Sequence, residues 1–78
     1  MKMVKVGDVA LKSAGRDAGH ICAVVEVMDH DFVLVEGNVR RRKCNLLHLE
    51  FLGKNIPIKK TDSRINVLDN LKKSGFNF

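Results

Sequence analysis

Apolar residues in the first half of the chain fall into short runs that alternate with polar residues, as in β-strands with one buried face. Val9 and Leu11 share the first such face, which predicts a strand over Val9 to Lys12. The run from Ile21 to Met28 is rich in β-branched residues and predicts a second, longer strand. The run from Phe32 to Val35 is apolar at every position, which is typical of a strand that crosses the centre of a barrel.

Alternation also predicts which way the side chains of the second strand point. One face is expected to hold four apolar residues, Ile21, Ala23, Val25 and Val27. Glu26 then marks the opposite face as partly solvated.

The middle of the chain predicts a hairpin, an irregular turn and a last strand. Gly37-Asn38 is typical of a two-residue hairpin turn. A short irregular turn is expected from Leu47 to Phe51, ended by Gly53. Ile56 to Ile58 reads as an edge strand, because the proline between the two isoleucines cannot donate a hydrogen bond to a neighbouring strand.

The end of the chain predicts a helix from about Ser63 to Lys73, capped by Thr61 or Asp62. Gly75 stands where a glycine commonly ends a helix, and Phe76 is placed to pack back on it. The expected apolar stripe contains Ile65, Leu68 and Leu71. Such a helix is expected to close an open end of the barrel, and the alternative is a docking helix for a protein partner.

Short strands followed by one helix predict an all-β fold, a small barrel with an appended C-terminal helix. We expect the barrel over residues 1–60 and the helix over residues 61–78, as parts of one domain. A chain of 78 residues has one small core and little room for a deep pocket, which disfavours an enzyme. No catalytic residues are predicted, since no nucleophile stands beside a base and an orienting group.

The composition narrows the expected partners. The net charge of +5 permits binding to a polyanion, whereas the 5% aromatic content disfavours a single-strand binder built on base stacking. No apolar run approaches the length of a membrane span, and the N-terminal residues do not form a signal-peptide apolar block. The chain is therefore expected to be cytoplasmic, with no membrane partner.

Two histidines and two cysteines have the composition of a tetrahedral zinc site but not its spacing: His20, Cys22, Cys44 and His48. We expect the cysteines to be small buried hydrophobic residues, neither joined in a disulfide nor bound to metal. No metal or cofactor is predicted.

Two stretches carry the candidate binding residues. The loop from Ser13 to Gly19 displays Arg16 between two glycines, so Ser13 and Arg16 are either ligand contacts or parts of a plain connection. The run Arg40, Arg41, Arg42 and Lys43 is either a binding surface or a solvated strand face. If it forms a strand, two of its cations face each way. Lys12, Lys59 and Lys60 are expected outer contributors.

The first half of the chain resembles the KOW motif in residues that share one strand–loop–strand pattern: Gly7-Asp8, Val9, Leu11, Gly15, Gly19, Val25 and Val27. From Val6 to Glu50 the chain also resembles the ribosomal protein fourteen-e (eL14-like) family, through its arginine run and the His-Leu-Glu at residues 48–50. Two departures suggest a compact relative: the short segment between Gly37 and Arg40, and Phe51 where a proline is common.

This resemblance implies a five-stranded SH3-like barrel that binds structured RNA without catalysis. The implied partner is ribosomal RNA, with neighbouring ribosomal proteins as further partners and a monomer when free. The alternative function is an SH3-like adaptor that binds a polypeptide in a transcription or translation complex.

Overall fold

The computed structural model describes residues 4–76, which form one antiparallel sheet, a 3₁₀ turn and an α-helix. The strands are β1 (Asp8–Lys12), β2 (Ile21–Val27), β3 (Phe32–Gly37), β4 (Arg42–Asn45) and β5 (Leu49–Asn55). The 3₁₀ turn (Leu46–His48) joins β4 to β5, and α1 (Arg64–Lys73) follows. The strand order is β4-β3-β2-β1-β5.

The sheet is curled into the SH3-like barrel that the sequence predicted. Cys44 of β4 and Leu49 of β5 come from the two edges of the sheet, yet both lie in one buried cluster. Val24 of β2 and Val35 of β3 complete the centre of this interior, and both are fully buried. Alternation along each strand supplies these residues, since every second side chain points into the barrel.

A second apolar cluster lies on the outer face of the sheet. Val9 of β1 and Ala23 of β2 pack there against Val67 and Leu71 of α1, and all four are fully buried. The helix therefore covers a face of the barrel, where we had expected it to close an open end. Because this cluster and the interior share β2, that strand is buried on both sides.

A bulge in β2 corrects the predicted face of Val27. Val24 pairs with Val35, but the next paired residue is Glu26, opposite Leu34, so the register shifts by one at Val25. A one-residue shift moves every later side chain to the other face. Val27 consequently does not continue the face of Ile21, Ala23 and Val25, and it is 44% exposed.

The connection between β3 and β4 is longer than the predicted two-residue turn at Gly37-Asn38. β3 ends at Gly37 and β4 begins at Arg42, so residues 38–41 make the connection. Val39 is only 2% exposed and lies within the interior cluster. Its burial anchors the connection to the barrel interior.

The last strand is β5, and not the predicted segment Ile56 to Ile58. The 3₁₀ turn is also shorter than the predicted turn from Leu47 to Phe51, because β5 begins at Leu49 and runs through Gly53. Ile56 instead donates its backbone N–H to the Gly7 oxygen (2.9 Å) and buries its side chain in the outer cluster.

The predicted helix is present with a different cap, and Leu68 and Leu71 face the outer cluster as predicted, with Val67 buried in place of Ile65. Ser63, not Thr61 or Asp62, caps α1, and its side chain accepts from the Asn66 N–H (3.3 Å). Ile65 is 78% exposed because it lies about 200° around the helix from buried Val67.

The end of α1 follows the prediction closely. Gly75 N donates to the Lys72 oxygen (3.0 Å) and Phe76 N to the Leu71 oxygen (3.1 Å), which is the glycine-ended cap expected there. Phe76 packs on the outer cluster, as expected. Within residues 4–76, no helix is long and apolar enough to span a membrane.

Candidate nucleic-acid interface

The loop between β1 and β2 holds Arg16 out in solvent. Gly19 N donates to the Lys12 oxygen (2.7 Å) and closes the base of the loop, while Ala18 N bonds to Gly15 oxygen (3.2 Å) inside it. Ser13 is exposed and its N–H bonds to His48 oxygen (2.8 Å), which ties the loop to the 3₁₀ turn. The Arg16 side chain is exposed and has no polar partner among the described residues.

The connection between β3 and β4, residues 38–41, is fixed at three points. The first is the pair Asn38 and Val39, where Asn38 N donates to Ile21 oxygen (3.0 Å) and the Val39 side chain lies in the barrel interior. Arg64 Nε of the helix donates to Gly37 oxygen (2.9 Å), just before the connection starts. Arg41 supplies the third point.

Arg41 uses its guanidinium to bind its own chain. Its Nε donates to Glu36 Oε2 (2.6 Å), its Nη1 to Lys60 oxygen (3.0 Å) and its Nη2 to Asp62 oxygen (2.8 Å). The Glu36 side chain is 7% exposed, so this is a largely desolvated ion pair. Arg41 therefore links the connection to the segment ahead of α1, and three of its five donors are occupied.

The other cations of the run have separate surroundings. Arg40 lies in the connection, so only Arg42 and Lys43 are in β4, on opposite faces of that strand. Arg40 and Arg42 are exposed and have no hydrogen-bond or ion-pair partner within residues 4–76. Lys43 Nζ lies 4.4 Å from the centre of the Phe32 ring, a cation–π contact.

The three lysines expected as outer contributors differ in exposure. Lys12 is only 6% exposed and does not stand on the outer surface; it lies at the end of β1, opposite buried Leu49. Lys60 forms an exposed ion pair with Glu26 (3.0 Å). Lys59 is exposed; its backbone N–H donates to Asp62 Oδ2 (3.0 Å) and its backbone oxygen accepts from Asp62 N (2.9 Å).

A contact that the sequence did not indicate joins the two arginine-bearing loops. Asn38 Nδ2 lies 3.0 Å from His20 Nδ1, across the gap between the β1–β2 loop and the β3–β4 connection. The two residues are 18 positions apart, so no local pattern reveals the pair. Arg16 and Arg40 thus stand on neighbouring loops at one end of the barrel.

The cysteines lie in the barrel interior as free, buried thiols. Burial, together with the nearby Cys44 thiol, raises the pKa of Cys22 from 9.0 to about 12, against a smaller opposing effect of Lys12. Burial likewise raises the pKa of Cys44. Among residues 4–76, no group of three or more histidine, cysteine and acidic side chains is placed to hold a metal ion.

Strands β1 and β2, the loop between them and most of β3 lie within a known motif. Residues 6–36 match the KOW motif model. The large ribosomal subunit protein eL14 of Methanococcus vannielii is 40% identical over 75 residues, covering 96% of this chain and 97% of the relative. The chain belongs to the eL14 family.

Other eL14 proteins agree with this assignment. The protein of Methanococcus maripaludis (strain C6) is 44% identical over 63 residues, with 81% of this chain and 82% of the relative covered. That of Aeropyrum pernix is 42% identical, with 95% of this chain and 79% of the relative covered.

Proposed function

We propose that this eL14-family protein binds structured ribosomal RNA of the large subunit, as a non-catalytic component that needs no cofactor. The observation that carries the proposal is the placement of three arginines that are exposed and without polar partners in the described part of the chain. Arg16 and Arg40 stand on loops joined by the His20–Asn38 contact, and Arg42 begins the adjoining strand β4. Because the relatives are proteins of the large ribosomal subunit, ribosomal RNA is the polyanion that these arginines are proposed to bind. Neighbouring ribosomal proteins are further proposed partners, and the free protein is a cytoplasmic monomer.

The proposed contacts are chiefly to phosphates, because structured RNA is recognised mostly by shape and backbone. Arg16, Arg40 and Arg42 each present a planar fork that can hold a phosphate by two hydrogen bonds. Lys43, whose ammonium group lies over the Phe32 ring, and exposed Lys59 add point charges. Ser13 offers a hydroxyl at the start of the β1–β2 loop.

Three of the expected contact residues take supporting roles in this proposal. Arg41 orders the β3–β4 connection, Lys60 pairs with Glu26, and Lys12 contributes positive potential from inside the barrel.

The proposal is tested with the double variant Arg40→Ala/Arg42→Ala. Binding to large-subunit ribosomal RNA from M. vannielii is measured by filter binding over a series of salt concentrations. Loss of two phosphate contacts should weaken binding about tenfold or more, and the slope of log affinity against log salt should become shallower by about two.

The matched control is Lys5→Ala/Lys54→Ala, which removes the same charge near the Gly7 turn, away from both loops. Its affinity should stay within about threefold of the parent. If the arginine variant remains folded and binds as tightly as the parent, the assignment is wrong. Absence of salt-sensitive RNA binding by the parent itself would favour the alternative of a protein-binding adaptor.

A further inference from the structure

A groove runs beside the two arginine-bearing loops. It encloses about 380 Å³ and lies between β1, β5 and the end of α1. Leu11, Leu52 and Phe76 form its apolar walls, while His20 and Asn38 stand at its polar edge. A volume of this size is in the range of small-ligand pockets, and one apolar slot with few polar groups is their usual composition.

The polar edge retains unused hydrogen-bonding groups. Asn38 Nδ2 donates one N–H to His20 Nδ1, which leaves its second N–H and its carbonyl oxygen free of partners among the described residues. Because His20 Nδ1 accepts this bond, the neutral ring carries its proton on Nε2, which can donate outward. Adjacent donors and an acceptor of this kind complement the hydrogen-bonding edge of a nucleobase.

We propose that this groove receives one unstacked base of the bound RNA. The inference rests on the proposed RNA-binding function and names the recognition element within it. In this arrangement the base lies against Phe76 and the leucines, and its edge faces the Asn38 amide. Specific recognition of RNA commonly uses such splayed bases, packed on aromatic side chains and read by hydrogen bonds.

The charges around the groove favour a nucleotide over an apolar protein side chain. Arg16 is three residues from Gly19 at one lip, and Arg40 is two residues from Asn38 at the other. A base entering the groove would carry its flanking phosphates toward these two exposed arginines. One slot of this kind is compatible with the low aromatic content, since it takes a single base and not a stacked strand.

The test is chemical probing of large-subunit ribosomal RNA from M. vannielii at saturating protein concentration. Hydroxyl radicals report the backbone footprint, and base-modifying reagents report the hydrogen-bonding edges of unpaired bases. We expect the parent protein to protect one unpaired base inside its backbone footprint. Asn38→Ala should restore that base to its reactivity in free RNA and lower affinity about tenfold, while the footprint persists.

A second variant and a control distinguish a specific effect on the groove from a general loss of protein stability. Leu52→Ala, which removes part of the wall, should also restore the reactivity of the base. Ile65→Ala removes a side chain that is 78% exposed on α1 and lies outside the groove, and it should leave the protection unchanged.

Each contrary outcome is decisive. A footprint without a protected unpaired base, or protection that survives both groove variants, overturns the groove assignment and leaves the proposed function in place. Absence of any footprint from the parent protein overturns the proposed function and the groove assignment together.

Discussion

Arg40 and Arg41 are identical in type and adjacent in sequence, yet the fold uses them in opposite ways. Arg40 projects into solvent, whereas Arg41 bonds to Glu36 and to two backbone oxygens of the segment before α1. The run of cations does not reveal this difference. Its only local signal is Glu36, an acidic residue after an apolar run, which needs a partner if it is buried.

We predict that Arg41→Ala lowers the free energy of unfolding by about 2 kcal/mol, because it leaves the nearly buried Glu36 carboxylate without its partner. Arg40→Ala is the matched control and should change that free energy by less than about 0.5 kcal/mol. Urea unfolding followed by circular dichroism measures both. Equal effects of the two substitutions would contradict the structural role given to Arg41.

Among the elements, the strands with strong local patterns were predicted correctly. β1, β2 and β3 have alternating or continuous apolar residues, and the structure places them within two residues of the expected bounds. β5 was missed because its alternation is short: Leu49 and partly buried Phe51 face the interior, and the last four of its seven residues are exposed. Pairing with the distant β1 makes it a strand, and that pairing has no local signature.

The proposed binding residues likewise divide into those whose placement the sequence indicates and those whose placement it does not. Exposure of Arg16 follows from its place in a glycine-bracketed loop, which the sequence indicates. Burial of Lys12 and the contact between His20 and Asn38 depend on how distant strands meet. No spacing rule along the chain reports such contacts.

The start of α1 gives a prediction at the scale of the element. Ser63→Ala should lower the free energy of unfolding by about 1 kcal/mol, because the side chain that accepts from Asn66 N–H is lost. Thr61→Ala removes a neighbouring hydroxyl that has no partner among residues 4–76, and it should have little effect. Thermal unfolding of both variants makes the comparison, and a larger effect at Thr61 would restore the cap first expected there.

In the whole molecule, β2 lies between the interior cluster and the cluster beneath α1. Its first five residues, 21–25, are therefore screened from water by the barrel on one side and by the helix on the other. Cys22 is fully buried at this junction, which is why its thiol is so reluctant to ionise. The titration of this thiol is thus coupled to the stability of the entire fold.

We predict that the free energy of unfolding falls as the pH rises above about 9. The unfolded chain loses the Cys22 proton near its ordinary pKa of 9.0, whereas the folded chain keeps it until about 12. Above the lower value the unfolded state therefore binds fewer protons, and alkaline pH favours unfolding. Urea unfolding at a series of pH values measures the decline.

Other groups also titrate at alkaline pH, so the variant Cys22→Ala serves as the reference. Its stability should decline less steeply than that of the parent between about pH 9 and pH 11. Parallel declines in the two proteins would show that the Cys22 thiol is not the group responsible.

The attachment of the β3–β4 connection at Val39, Arg41 and Gly37 has a consequence for the thermodynamics of association. A flexible loop loses conformational freedom when it engages a ligand, at about 1–2 kcal/mol for each residue whose backbone is fixed. Here the backbone that carries Arg40 and Arg42 is already ordered by contacts within the protein. The Arg41 guanidinium is thereby unavailable to a phosphate, while the backbone of its neighbours would meet the proposed RNA with that entropy already lost during folding.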